Sequence, residues 1–257
     1  IRMGNKLNGT SKRKSSNGEL DIKQDIAPTE PSNDLTILPE KNIPTTPTVL
    51  TILSNEKVNI IFLDIDGVLN NSRSSVTELY VIEKELLLIL KQLLDNSQTI
   101  KNVKPVIVIS STWRYTPNTR TLLLTALTTQ NIAQYVIGYT PHINGSNRVH
   151  EILWWLKTNT NFNTSECSLE LYSIELPELV HKESGDEFPI ALTRTKDQLN
   201  VNSLVIIDDW NLKDEVKNDT QSVKLLEFLD NHFVHVNKTE GLTETDTTLA
   251  NDILNRV

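Results

Sequence analysis

Hydrophobic and polar positions divide the chain into two unlike parts. Over residues 1–55 large apolar side chains are few, set among Ser, Thr, Asn, Pro and Lys. Such a stretch cannot bury enough apolar surface to offset its ordering entropy, and a disordered N-terminal tail is expected there. From Val58 the texture changes. Val58–Leu63 is a nearly unbroken apolar run of strand formers, the pattern of a strand covered on both faces in a parallel sheet. Thr77–Leu94 carries Leu79, Ile82, Leu86, Leu90 and Leu93 at helical spacing. Pro105–Ile109 reads as a second buried strand, with its proline tolerated at the start. Thr116 and Pro117 then open a helix through Thr129, as a threonine cap and a first-turn proline.

Further along, Gln134–Gly138 reads as a short strand and Asn147–Lys157 as a helix with Val149, Ile152, Leu153 and Leu156 on one side. Asn202–Ile207 is a third long apolar strand, Phe233–Val236 a last short one, and Thr245–Asn255 a closing helix. Strands alternating with helices imply right-handed βαβ units, hence an α/β fold with a three-layer, Rossmann-like parallel sheet. Residues 56–257 are expected to form that one domain. The stretch at about 159–200 breaks the rhythm, being polar and acidic, and is expected to be an insertion that folds over one edge of the sheet.

Composition sharpens this picture in three respects. The 1–55 tail holds seven basic and six acidic groups, leaving 18 and 27 for the remainder, a net charge of −9. An acidic body disfavours a broad nucleic-acid-binding face and favours divalent-cation chemistry. Cys167 is the single cysteine, so no intrachain disulfide is expected and a reducing compartment is the default: cytoplasmic, with the nucleus as the alternative. No run of about 18 apolar residues occurs, so no membrane span is expected.

The chemistry sits where the apolar runs stop. Three strands end in polar residues: Asp64-Ile65-Asp66, Ser110-Ser111-Thr112 and Asp208-Asp209. In an open parallel sheet, ligands bind beyond the carboxyl ends of the strands, so these residues are expected to converge. Four carboxylates gathered there repel one another unless a cation intervenes, and hard oxygen ligands suit Mg²⁺. The five histidines, His142, His150, His181, His232 and His235, show no zinc-ligand spacing with Cys167. A Gly-rich P-loop with its Lys-Ser/Thr is absent, so no P-loop kinase half is expected.

The pattern resembles the haloacid dehalogenase-like (HAD) phosphohydrolases. The resemblance rests on Asp64-Ile65-Asp66-Gly67-Val68 after a first apolar strand, Ser110 after Val106–Ile109, and Asp208-Asp209 after Leu204–Ile207. A lone basic residue at a helix start completes it. Arg148 is the only Lys or Arg between Arg120 and Lys157, although Lys is commoner at this place in the superfamily. Closer similarity is to the HAD domain of Swiss Army Knife RNA repair proteins. It is carried by Ser110-Ser111-Thr112-Trp113-Arg114, by Arg148, Glu151, Ile152, Trp155 and Leu156, and by Gly241-Leu242-Thr243.

The resemblance implies a Mg²⁺-dependent phosphomonoester hydrolase working through an aspartyl-phosphate. Asp64 is then the nucleophile, and Asp66 the acid that protonates the leaving group and later activates water. Ser110, with Ser111 in reserve, and Arg148 bind the phosphate. Asp64, Asp208, Asp209 and the backbone carbonyl of Asp66 hold the metal. The roles of Trp113 and Arg114 stay open between substrate contact and structure.

Between Asp66 and Pro105 there is room for one helix and its connections, and no large cap domain is expected. An open site suits a phosphorylated substrate, a small molecule or the phosphorylated end of a larger one. A nucleic-acid terminus fits the opening, but the charge of the body does not support it. Two other readings compete: a non-catalytic phosphate-binding or regulatory module on the same fold, and a phosphotransferase.

Overall fold

The computed structural model describes residues 56–71, 81–101, 103–143, 145–161 and 198–256. The expected tail, nearly all of the expected insertion and the Thr77–Tyr80 start of the first expected helix lie outside the described residues.

The apolar runs become strands β1 (Lys57–Leu63), β2 (Lys104–Ile109), β3 (Val136–Tyr139), β4 (Asn200–Asp208) and β5 (Phe233–His235). They pair in parallel in the order β3-β2-β1-β4-β5. Six of seven residues in β1 are buried, because β1 is central and helices cover both faces. On one face Ile61, Leu63, Ile107, Ile109, Val205 and Ile207 pack with α1 (Lys84–Lys101), α2 (Pro117–Thr129) and α6 (Glu244–Leu254). On the other, Ile60, Phe62, Val106, Val108, Leu204 and Ile206 meet α3 (Arg148–Asn159), α4 (Leu212–Val216) and α5 (Ser222–His232). This is the expected α/β three-layer arrangement, and no large cap domain is present among the described residues.

Caps fix where three helices begin. Thr116 accepts from Thr119 N at the head of α2, and Asn147 from His150 N at the head of α3. Thr243 and Asp246 form a reciprocal capping box on α6, satisfying two otherwise orphaned donors. Trp155 is 5% exposed and meets Phe62 edge-on, with centroids 5.6 Å apart, so it is a core residue; Trp154 is half-buried.

The elements differ from the sequence reading in several places, and α1 runs on to Lys101, past the expected end at Leu94. Residues 81–83 are not helical. Glu83 N donates to Leu69 O, and its carboxylate accepts from Asn71 N and Nδ2, which pins this stretch to the loop after β1. The expected strand at Gln134–Gly138 is a 3-10 turn at Ala133–Tyr135 followed by β3, because Tyr135 N closes back onto Ile132 O. Helices α4 and α5 were not anticipated. Asn218, Asp219 and Thr220 interrupt the apolar spacing, and the chain accommodates them as a turn between two short helices.

Candidate active site

Sheet register explains which side chains meet. Leu63 pairs with Ile109 on one side and Ile207 on the other, and all three face the α1/α2/α6 layer. One residue on, the pleat turns Asp64, Ser110 and Asp208 to the opposite face, the one covered by α3. The ladder runs on past the strand ends to hold them: Asp64 N donates to Ile207 O (3.0 Å), Ser110 N to Leu63 O (2.8 Å) and Val236 N to Asp208 O (2.9 Å). In strand order the chain reverses direction between β1 and β4, so this row stands at the topological switch point.

Arg148, the first residue of α3, enters from above that face. Its Nη1 lies 2.9 Å from Asp64 Oδ1 and 2.7 Å from Asp208 Oδ2. The remaining oxygen of Asp208 accepts from Trp210 N (2.8 Å), so both of its oxygens are engaged. Glu215 on α4 accepts from Arg148 N at 3.3 Å, a support that sequence reasoning missed because α4 itself was missed. Glu151, one turn beyond Arg148, is not its partner. It forms a buried ion pair with Arg114 (2.6 Å) and accepts from Ile143 N. Arg114 also donates to Ser111 O (2.6 Å) and Pro141 O (3.3 Å), tying the ends of β2 and β3 to α3. Arg114 is therefore structural.

Asp64, Asp208 and Asp209 bring one carboxylate oxygen each within 4.8 Å of one another. Burial, then the charge of Asp208 and more weakly that of Asp209, push the Asp64 carboxyl up to about 8, against the pull of Arg148 and a hydrogen bond from Ser111. Asp208 and Asp209 are likewise raised, chiefly by burial, and Asp209 shares a hydrogen bond with Asp64. Burial opposes the charge on Arg148, yet Asp64 and Asp208 outweigh it and raise its pKa. Three hard oxygen donors that resist ionising together fit a small divalent cation such as Mg²⁺, which would relieve their repulsion.

Gly67 makes this crowding attainable. Its φ is +75°, and a Cβ there would lie 2.4 Å from both Cγ and Oδ2 of Asp209. Only a glycine lets the β1 loop close onto that carboxylate. The loop is further held by Leu242 N on Val68 O (2.9 Å), which is where Gly241-Leu242-Thr243 meets the site.

The carboxylate of Asp66 stands outside the group of three. It is exposed, and its Oδ1 accepts from Trp113 Nε1 (2.8 Å) and Asn70 Nδ2 (3.0 Å). The expected cup of four carboxylates is thus three plus one held apart, because two donors draw the fourth away. Asn70 was overlooked in the sequence; a polar residue at the end of the apolar turn Val68–Leu69 was its only signal.

Of the two candidate hydroxyls, Ser111 bonds Asp64 and also caps the 3-10 turn Thr112–Arg114, while Ser110 Oγ is buried without a partner among the described residues.

A parallel sheet with carboxylates and one arginine at the carboxyl ends of its central strands is consistent with the HAD-like arrangement. Residues 60–166 match the family model for the HAD domain in Swiss Army Knife RNA repair proteins, which bears out the resemblance carried by the motifs. The matched span includes Asp64, Asp66, Ser110, Ser111 and Arg148; Asp208 and Asp209 lie beyond it. No curated protein and no solved structure matches the chain. The family suggests phosphoester hydrolysis, and the acidic cluster is compatible with Mg²⁺. No helix among the described residues is long and apolar enough to cross a membrane.

Proposed function

We propose that the chain is a Mg²⁺-dependent phosphomonoester hydrolase acting through an aspartyl-phosphate on Asp64. The observation that carries this reading is the meeting of Asp64, Asp208 and Asp209 with Arg148 at the switch point of the sheet. Mg²⁺, held by these three carboxylates and the Asp66 carbonyl, would neutralise charge on the phosphoryl oxygens.

The Asp64 carboxylate forms a bond to phosphorus as the bond from phosphorus to the leaving oxygen breaks, and Asp66 gives its proton to that oxygen. Asp66 then takes a proton from water, whose oxygen attacks phosphorus and frees phosphate and Asp64. Arg148 and Ser110 hold phosphoryl oxygens through both steps, acting where charge is transferred. Ser111, already bonded to Asp64, orients the nucleophile. The substrate class is a phosphorylated end of a larger molecule, supported by the single helix that separates β1 from β2 among the described residues. The −9 body charge favours ends other than nucleic acid.

Phosphate release from a panel of aryl and alkyl phosphates, with and without Mg²⁺, tests the reading. Wild-type turnover that needs Mg²⁺ and vanishes in Asp64→Asn supports it. Turnover retained in Asp64→Asn removes the nucleophile assignment. Transfer of label to an alcohol acceptor in place of free phosphate makes the chain a phosphotransferase instead.

A further inference from the structure

The indole of Trp113 is 1% exposed and packs in the α1/α2/α6 core, yet its N–H reaches out of that core to an exposed carboxylate. Asn70 approaches the same oxygen. The orientation of its amide is decided locally: Gly67 N can only donate, and it lies 2.8 Å from Asn70 Oδ1, so the NH₂ end faces Asp66. Two fixed donors therefore converge on Asp66 Oδ1, one from the buried core and one from the β1 loop. Oδ2 receives no donor from the described residues.

We propose that Trp113 and Asn70 are positioning residues for the proton-transfer step. Together they immobilise Asp66 Oδ1 and present Oδ2 as the atom that exchanges the proton with the leaving group and then with water. This rests on the function proposed above.

The geometry accounts for three features at once. An exposed aspartate on a glycine-ended loop has free rotamers; two donors at 2.8 and 3.0 Å restrain it. The clamp also holds a carboxylate that stands outside the Asp64–Asp208–Asp209 group, so the proton carrier is distinct from the oxygens that suit a metal. And it gives Trp113 a task in the site that its burial alone does not require, since an apolar ring needs no N–H to pack in a core. A satisfied buried indole is the competing explanation, because buried Trp N–H groups need a partner.

Leaving-group dependence separates the two, because a general acid matters most when the departing oxygen is a poor leaving group. Trp113→Phe keeps a smaller aromatic ring in the core and removes the donor; Asn70→Ala removes the other donor together with the acceptor of Gly67 N, and leaves the Trp113 core position untouched. Each is compared with wild type and Asp66→Asn at saturating Mg²⁺, on p-nitrophenyl phosphate and on a simple alkyl phosphate. Both variants are expected to lose about tenfold or more in kcat on the alkyl ester and no more than about threefold on the aryl ester, moving toward the Asp66→Asn profile.

Equal losses on both esters, or no loss, overturn the proposal and leave the phosphatase reading standing. A wild-type protein inactive on both esters removes the phosphatase reading and the proposal with it. If Trp113→Phe does not fold, Asn70→Ala decides alone by the same two criteria.

Discussion

Removing the charge of Asp64 is expected to stabilise the metal-free protein, in a pH-dependent manner. In the fold its carboxyl titrates at about 8, against 3.8 for the group in an unfolded chain. Between those values the folded state binds a proton that the unfolded state has released, so stability falls as pH rises through the window from 3.8 to about 8. Each pKa unit is worth about 1.4 kcal/mol, which makes the loss on the order of 5 kcal/mol once the window is crossed, and about 4 of that accrues between pH 5 and pH 8. Asn has the shape of the protonated acid and does not titrate. Without metal, Asp64→Asn should therefore exceed wild type in stability by several kcal/mol at pH 8 and by only about 1–2 kcal/mol at pH 5. For a domain of this size, 1 kcal/mol moves Tm by about 2–4 °C, so the gap is readily resolved by thermal denaturation in EDTA. Adding Mg²⁺ should raise the wild-type Tm at pH 8 and leave the variant nearly unmoved. The reasoning is refuted if Asp64→Asn is the less stable protein at pH 8, or if the gap does not narrow toward pH 5.

Gly67→Ala would drive a methyl into Asp209 from a backbone with φ of +75°; Mg²⁺ affinity by calorimetry should fall at least about tenfold while the sheet persists by circular dichroism. Arg148→Ala leaves Asp64 and Asp208 without their counter-charge, and kcat/KM on an aryl phosphate should fall by about 10²–10³. Arg114→Ala strands the buried Glu151 carboxylate and should cost about 3–5 kcal/mol in chemical denaturation, whereas Arg114→Met with Glu151→Leu should recover most of it. Trp155→Ala opens a cavity against Phe62 and should cost about 3–5 kcal/mol with the Mg²⁺ affinity unchanged.

What was legible in the sequence follows from which signals are local. Val58–Leu63, Val106–Ile109 and Leu204–Ile207 are buried on both faces, and such burial writes itself as an uninterrupted apolar run. The polar residues ending those runs were bound to gather, because parallel strands end on one edge. Thr116-Pro117 and Asn147 were readable as helix starts because capping is local chemistry.

Partner choice was not readable, since it depends on register and pleat. Arg148 and Glu151 sit three residues apart and invite a pairing along α3. The pleat instead turns Asp64 and Asp208 toward Arg148, while Arg114 arrives from the end of β2 to take Glu151. Asn70 and Trp113 lie on different elements 43 positions apart, and nothing in either local pattern points to Asp66. Helix α4 was hidden by its five-residue length, and with it the support that Glu215 gives to Arg148.

The central claim, that Asp64 forms a phosphoryl bond during turnover, is tested most directly by trapping the intermediate. Wild-type protein with Mg²⁺ and a ³²P-labelled phosphomonoester, quenched in acid, should carry label that hydroxylamine removes and that maps by peptide mass to Asp64. Asp66→Asn should accumulate more of it from an aryl ester, because water activation is impaired, and Asp64→Asn none. Turnover without acid-stable label at Asp64, or label on another residue, contradicts the account.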